Sequence, residues 1–220
     1  MLKHTLFQAI LDRGMVAIVR ADTADAALQL AEACIAGGMD ALEIAFTTPD
    51  TLDVIKTLRQ RHGDKVFLGA GTVLDPETAR LAILAGAKFI ISPSVSTETI
   101  RLCQRYQVLS MPGAMTPTEI LTALEAGADI IKVFPAEAFS PAYIKALRAP
   151  LPQAPLMPTG GVTLENLHLW FEQGAVAVGI GGSLTAPAAK GDYAAVTANA
   201  AAFVQRMAGI RQKQSGSKAS

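Results

Sequence analysis

Eight short apolar runs, separated by segments of roughly a dozen residues with helical periodicity, restrict what this chain can fold into. The runs are 16–20, 41–46, 66–71, 89–92, 108–111, 130–134, 155–158 and 175–180. Continuous apolar runs of this length are the mark of parallel strands buried on both faces. The helical segments between them include 24–36, 49–61, 76–85, 117–126, 141–147 and 164–173. A strand followed by a helix, repeated along the whole chain, calls for a parallel sheet with helices packed on it.

Local punctuation agrees with this reading. Helix starts carry a capping residue next to Pro or an acid: Thr48-Pro49-Asp50, Asp75-Pro76-Glu77, Thr116-Pro117-Thr118-Glu119 and Ser140-Pro141. Thr116 and Glu119 have the spacing of a capping box. Helix ends read Ala36-Gly37, Ala85-Gly86, Ala126-Gly127 and Gln173-Gly174, where glycine is expected to supply the left-handed C′ conformation. Two architectures fit, a closed barrel and an open doubly wound sheet. The units are short and regular, and no dinucleotide-type glycine fingerprint follows the first strand. Polar residues end several different strands, where barrels keep their chemistry. The expected fold is therefore α/β, a (β/α)8 TIM barrel. It comprises one domain over residues 1–208, with an N-terminal helix, followed by a disordered polar tail over 209–220.

Composition removes several function classes. The 220 residues are 50% hydrophobic and 17% charged, which suits one large core. Nineteen basic residues balance 19 acidic ones, unlike a nucleic-acid binder with its basic excess. Neither a signal peptide nor a membrane span is visible in the first residues, so a cytoplasmic protein is expected. Cys34 and Cys103 lie far apart without a CxxC spacing and read as small apolar core residues. His4, His62 and His168 are scattered and suggest no metal site. No nucleophile elbow or phosphate-binding P-loop occurs.

Two charged residues interrupt the apolar strands. In Ala41-Leu42-Glu43-Ile44-Ala45-Phe46, strand alternation turns Leu42, Ile44 and Phe46 toward the helices and Glu43 inward. In Ile130-Ile131-Lys132-Val133-Phe134 it turns Ile131 and Val133 outward and Lys132 inward. Burying charge costs several kcal/mol unless it is compensated. The two can form an ion pair that merely specifies the fold. The functional alternative is that a desolvated amine attacks a carbonyl to form a Schiff base, while the carboxylate moves protons.

Other strand ends suggest a ligand. Leu68-Gly69-Ala70-Gly71-Thr72 lets backbone approach a bound molecule. Pro158-Thr159-Gly160-Gly161-Val162 and Gly179-Ile180-Gly181-Gly182-Ser183 end strands seven and eight. Paired glycine loops at those two positions match the common phosphate site of barrels, although either alone fits a tight turn. Arg20 ends the first strand, where it can fork onto a carboxylate or simply sit solvated at the rim.

Leu42-Glu43-Ile44, Gly69-Ala70-Gly71-Thr72-Val73, Ile91-Ser92-Pro93, Lys132-Val133-Phe134-Pro135-Ala136-Glu137, Pro158-Thr159-Gly160-Gly161 and Gly179-Ile180-Gly181-Gly182-Ser183 occur in an order and spacing that resemble the 2-dehydro-3-deoxy-phosphogluconate (KDPG/KHG) aldolases. The resemblance runs from about residue 10 to 205. It implies cleavage of 2-dehydro-3-deoxy-6-phosphogluconate to pyruvate and glyceraldehyde 3-phosphate, with no metal or other cofactor. It implies Lys132 as the Schiff-base residue and Glu43 as the proton-transfer residue. Thr72, Phe134 and Thr159 would line the substrate pocket. Gly160, Gly161, Gly181, Gly182 and Ser183 would hold the phosphate. A homotrimer is also implied.

One departure stands out. A branch of that family has Arg four residues after the catalytic Glu, where this chain has Thr47. Arg20 is read as its replacement on the pyruvyl carboxylate, an arrangement that resembles the galactonate-phosphate branch. That branch tends to have Val where this chain has Thr159, which favours the gluconate substrate. The galactonate epimer and 4-hydroxy-2-oxoglutarate are the alternative substrates. A non-catalytic sugar-phosphate-binding barrel is a more remote alternative, and so is a sugar-phosphate isomerase, which would form no imine with pyruvate.

Overall fold

The structure, a computed structural model, describes the backbone of residues 3–217 and the side chains of residues 3–213. Helix α1 (Lys3–Arg13) precedes β1 (Met15–Val19), α2 (Ala24–Ala36), β2 (Ala41–Ala45), α3 (Thr51–His62), β3 (Phe67–Gly71) and α4 (Pro76–Ala85). Next come β4 (Phe89–Ile91), α5 (Thr97–Tyr106), β5 (Leu109–Met111), β6 (Gly113–Ala114), α6 (Pro117–Glu125) and β7 (Ile131–Val133). The chain ends with α7 (Ala142–Arg148), β8 (Leu156–Pro158), α8 (Leu167–Glu172), β9 (Val178–Ile180), α9 (Gly182–Thr185) and α10 (Tyr193–Ser217). All strand pairings are parallel, in a sheet ordered β5-β4-β3-β2-β1-β9 and a second ordered β6-β7-β8. The result is an α/β fold with a curled parallel sheet. The eight expected strands are all present, but the fifth is interrupted. Pro112 stands between β5 and β6, and its carbonyl accepts from Lys132 N at 2.9 Å. Proline brings no N–H to a ladder, which explains the break.

Strand alternation sorts the interior from the helix-packing layer. Leu42, Ile44, Ile131 and Val133 belong to the large cluster shared with the helices. Val16, Ala41, Phe67, Phe89, Met111, Ile130 and Met157 form a second cluster inside the curled sheet. Leu6 and Ile10 of α1 complete that inner cluster and close its lower end. Arg13 fixes the helix there by donating from Nε and Nη2 to Asp40 at 2.9 and 2.7 Å. The lower interior is thus apolar and filled, which leaves the upper, C-terminal ends of the strands for chemistry.

Several local expectations need correction. The capping box of Thr116 and Glu119 is present, and Asp75 caps α4. Thr48 does not cap α3, which begins later, after an Asp50 in left-handed conformation. Thr48 instead accepts from Ala21 N at 3.2 Å and so ties the end of β1 to the turn after β2. Ser140 does not cap α7 either; the N-cap is Pro141, with no side-chain bond. The helix expected from Leu164 starts at Leu167, because Thr163 and Asn166 first exchange side-chain–backbone bonds in a turn. After α2 the positive φ falls on Gly38 rather than Gly37. Gly37 is required by space, since a Cβ there would collide with Ala200 and the Thr197 carbonyl of α10.

The largest correction concerns the tail. Residues 209–217, expected to be disordered, continue α10 as helix. A single buried stripe, Val196, Ala200, Phe203, Met207 and Ile210, keeps helical spacing as far as Ile210. Arg211 also donates to the carbonyl of Leu11 in α1. Residues 218–220 lie outside the described residues. No helix among the described residues is long and apolar enough to cross a membrane.

Ile10 is fully buried at the lower end of the interior. Ile10→Ala should cost about 2–5 kcal/mol of stability, seen as a lower urea midpoint. An unchanged midpoint would mean that α1 does not belong to the core.

Candidate active site

Glu43 sits mid-strand in β2, in register between Ile18 of β1 and Gly69 of β3. Lys132 sits mid-strand in β7, in register between Gly113 and Met157. Alternation turns both inward above the apolar cluster, where they are 2% and 6% exposed. Lys132 Nζ lies 3.6 Å from Glu43 Oε1. That is beyond the usual range of an N–H···O bond, so the amine is held near the acid without being locked onto it. Glu43 Oε2 is buried with no hydrogen-bond partner among the described residues. An unpaired buried carboxylate oxygen is costly, and its cost falls when a ligand offers a proton. Lys132 Nζ also lies 5.0 Å from the centre of the Phe134 ring.

Above this pair opens a cavity of about 680 Å³ at the C-terminal strand ends. Its walls include Arg20, Phe134, Thr159, Gly160, Gly161, Gly181, Gly182 and Ser183. The predicted substrate- and phosphate-binding residues therefore share one space, except Thr72. Thr72 follows β3 with φ 56°, a left-handed conformation uncommon for a β-branched residue. Such strain is usual where surrounding structure over-determines a functional loop. Glu43 and Lys132 lie in the interior and are not part of that cavity's wall. Arg20 is exposed just beyond β1. Thr47, two residues beyond β2, is exposed too.

The glycine loops have a physical basis. Gly160 and Gly161 have φ of 99° and 69°, conformations that other residues rarely adopt. Gly181 precedes the short helix α9, whose first N–H groups lack partners within the helix. Ser183 Oγ donates to the Val162 carbonyl and ties the two loops together. Thr159 N donates to Val133 O at 3.0 Å, which fixes this loop to the strand of Lys132. Thr159 Oγ1 is buried and has no hydrogen-bond partner among the described residues.

Two residues at the site, Glu137 and Asn166, received no role from the sequence, and a third, Gly71, was read only as a close approach of backbone to a ligand. Glu137 lines the cavity, its carboxylate against Gly160. Its place in the Lys132–Glu137 motif was the available signal. Asn166 Nδ2 donates to Gly161 O at 2.7 Å while its Oδ1 accepts from Trp170 Nε1 at 3.1 Å, so it props the glycine loop. Gly71 lies directly against Glu43. Neither contact has a local sequence signature. The cysteines are apart from the site. Both are buried, and burial pushes each thiol up to about 12. His62 pairs with Glu32 and His168 contacts Arg206. No group of three or more His, Cys, Asp or Glu residues suited to a metal occurs among the described residues.

The chain is similar to several known proteins. A family model described as KDPG and KHG aldolase matches residues 8–199. A 2-dehydro-3-deoxy-6-phosphogalactonate aldolase of Escherichia coli (strain K12) is 42% identical over 171 residues, 77% of this chain and 83% of the relative. A 2-dehydro-3-deoxy-phosphogluconate aldolase of Treponema pallidum (strain Nichols) is 37% identical over 198 residues, 88% of this chain and 93% of the relative. The crystal structure of the KDPG aldolase of Legionella pneumophila, with pyruvate captured as a covalent carbinolamine, has a TM-score of 0.79 and 27% identity. That match covers 92% of this chain and 98% of the other. With the family model matching nearly the whole fold, the chain belongs to the KDPG and KHG aldolase family and is a carbon–carbon lyase.

Proposed function

We propose that the enzyme cleaves 2-dehydro-3-deoxy-6-phosphogluconate to pyruvate and glyceraldehyde 3-phosphate through an imine on Lys132. The observation that carries this reading is the buried pair, 3.6 Å apart, with one carboxylate oxygen unpaired among the described residues. The Lys132 amine adds to the C2 carbonyl, and the carbinolamine takes a proton from Glu43 and loses water to give the protonated imine. Glu43 then takes the proton of the C4 hydroxyl while the C3–C4 bond breaks. The bond's electron pair flows into the imine, so the aldehyde leaves and an enamine remains. Glu43 returns the proton to C3, and water hydrolyses the protonated imine to pyruvate and the free amine, giving the released proton back to Glu43. Every electron stays within substrate and protein, so the scheme calls for no metal or other cofactor.

The same reading assigns the remaining residues. Thr72 and Phe134 border the pyruvyl end, and the backbone of Gly160, Gly161, Gly181, Gly182 and Ser183 receives the phosphate. Thr159 supports the gluconate epimer, because its unpaired buried hydroxyl suits a substrate hydroxyl. The galactonate epimer has its own support in the 42% identical relative and in Arg20 at the end of β1. We further infer that the two sheets are one closed (β/α)8 barrel. Supports are the parallel bridge between Thr159 and Gly179, the bond from Val176 N to Leu156 O, and the reading of β5 and β6 as one interrupted strand. A homotrimer follows from the family resemblance. Leu74, Leu81 and Leu84, exposed in and beside α4, are residues such an assembly could cover.

Two measurements test these assignments. Cleavage rates on the gluconate and galactonate substrates and on 4-hydroxy-2-oxoglutarate, each with excess chelator, should be highest for the gluconate. Glu43→Gln should lower that rate about 10²–10⁴-fold while the fold survives. Near-normal turnover by Glu43→Gln removes the proton-transfer role, and chelator loss restored by a divalent ion removes the metal-free scheme. Arg20→Ala tests the carboxylate assignment. A hydrogen bond to a charged group contributes about 1.5–3 kcal/mol, so pyruvate binding should weaken roughly 10–100-fold. Adding Thr47→Arg should restore part of it. If pyruvate binding is unchanged and only phosphorylated substrate binds more weakly, Arg20 belongs to the phosphate end instead.

A further inference from the structure

Glycines normally mark turns, yet Gly69, Gly71 and Gly179 lie within strands and are absent from the positive-φ glycines. Their backbone conformations are open to any residue, so space and not conformation accounts for them. A Cβ built on Gly69 would strike the Phe89 ring of the lower interior cluster. One built on Gly71 would coincide with Oε1, Cγ and Cδ of Glu43. One built on Gly179 would strike the Thr159 side chain. Barrel interiors are filled by layers of side chains, one inward residue from each strand in alternate layers. At Gly71 that place is taken by the neighbouring strand's carboxylate.

We propose that Gly71 is a positioning residue: by contributing no side chain, it leaves the space in which Glu43 crosses β3 and holds its carboxylate 3.6 Å from Lys132. Glu43 pairs in register with Gly69, two residues before Gly71. Side chains in strands lean along the strand direction, so the Glu43 stem reaches past its register partner and lies over Gly71. An alanine there meets the middle of the Glu43 stem as well as its tip. Rotation of the carboxylate alone cannot relieve the collision, and the acid must leave its place beside the amine.

This inference rests on the role given to Glu43, and the experiment separates the two. The full-length enzyme is compared with Gly71→Ala, Glu43→Asp, Gly71→Ala/Glu43→Asp and Glu43→Gln. Gly71→Ala should lower kcat by about tenfold to a hundredfold, part of the 10²–10⁴-fold range of a general acid–base group, with a smaller change in KM. Asp is shorter by one methylene, so it loses the closest contact, that with Oε1, and relieves the collision in part. The double variant should therefore turn over faster than Gly71→Ala, although Glu43→Asp alone is slower than the parent. A purely structural glycine would show no such rescue. Should Gly71→Ala fail to fold, Gly71→Ala/Glu43→Ala should fold, because the contested space is then empty. Gly71→Ala with parental kcat, a loss that Glu43→Asp does not relieve, or misfolding that persists in the Glu43→Ala background would each overturn the proposal. If Glu43→Gln is active as well, the failure lies in the role of Glu43 and not in Gly71 alone.

Discussion

A carboxylate and an amine face each other across the inside of a curled apolar sheet, and most of the upper structure is arranged around that fact. Taking two such groups out of water costs several kcal/mol each, and their attraction repays it only with good geometry and satisfied partners. Here the separation is 3.6 Å and one carboxylate oxygen has no partner among the described residues. Apolar residues of similar volume would be neutral or stabilising by about 1–4 kcal/mol. A chain that keeps the pair gains little stability from it. What it gains is an unlocked amine with a proton acceptor beside it, in the interior below the glycine loops.

Division of labour along the strands makes this tolerable. The lower half of the interior is closed by α1 and filled with Phe67, Phe89, Met111, Ile130 and Met157, so rigidity is supplied below the pair. The upper half is held by polar ties from side chains to backbone groups. Thr48 links the ends of β1 and β2, Asn166 props the Gly160-Gly161 loop, and Ser183 joins that loop to the one before α9. Reacting groups on strands, supported by loops that are themselves hydrogen-bonded, meet the demand for a geometry held to within about half an ångström.

Much of this was legible in the sequence because it depends on period and residue type alone. The period of two placed Glu43 and Lys132 inward, and the sorting of Leu42, Ile44, Ile131 and Val133 away from Ala41 and Ile130 bears that placement out. The glycine pairs after the seventh and eighth strands, read from the sequence as a phosphate site, line one cavity. What the sequence hid were contacts between distant segments. The interruption at Pro112, the use of Thr48 across strands and the seat of Gly71 beneath Glu43 all depend on which strands are neighbours. The tail misled for a related reason. Its composition is polar, but Met207 and Ile210 continue a stripe whose partners lie elsewhere in the chain.

The account stands or falls on covalent capture at one amine. Incubating the enzyme with pyruvate and borohydride, then mapping the modified peptide by mass, reads that step directly. The geometry predicts loss of activity together with a reduced pyruvyl adduct on the peptide that contains Lys132. A label on a different lysine, or full activity and no label after the same treatment, would contradict it.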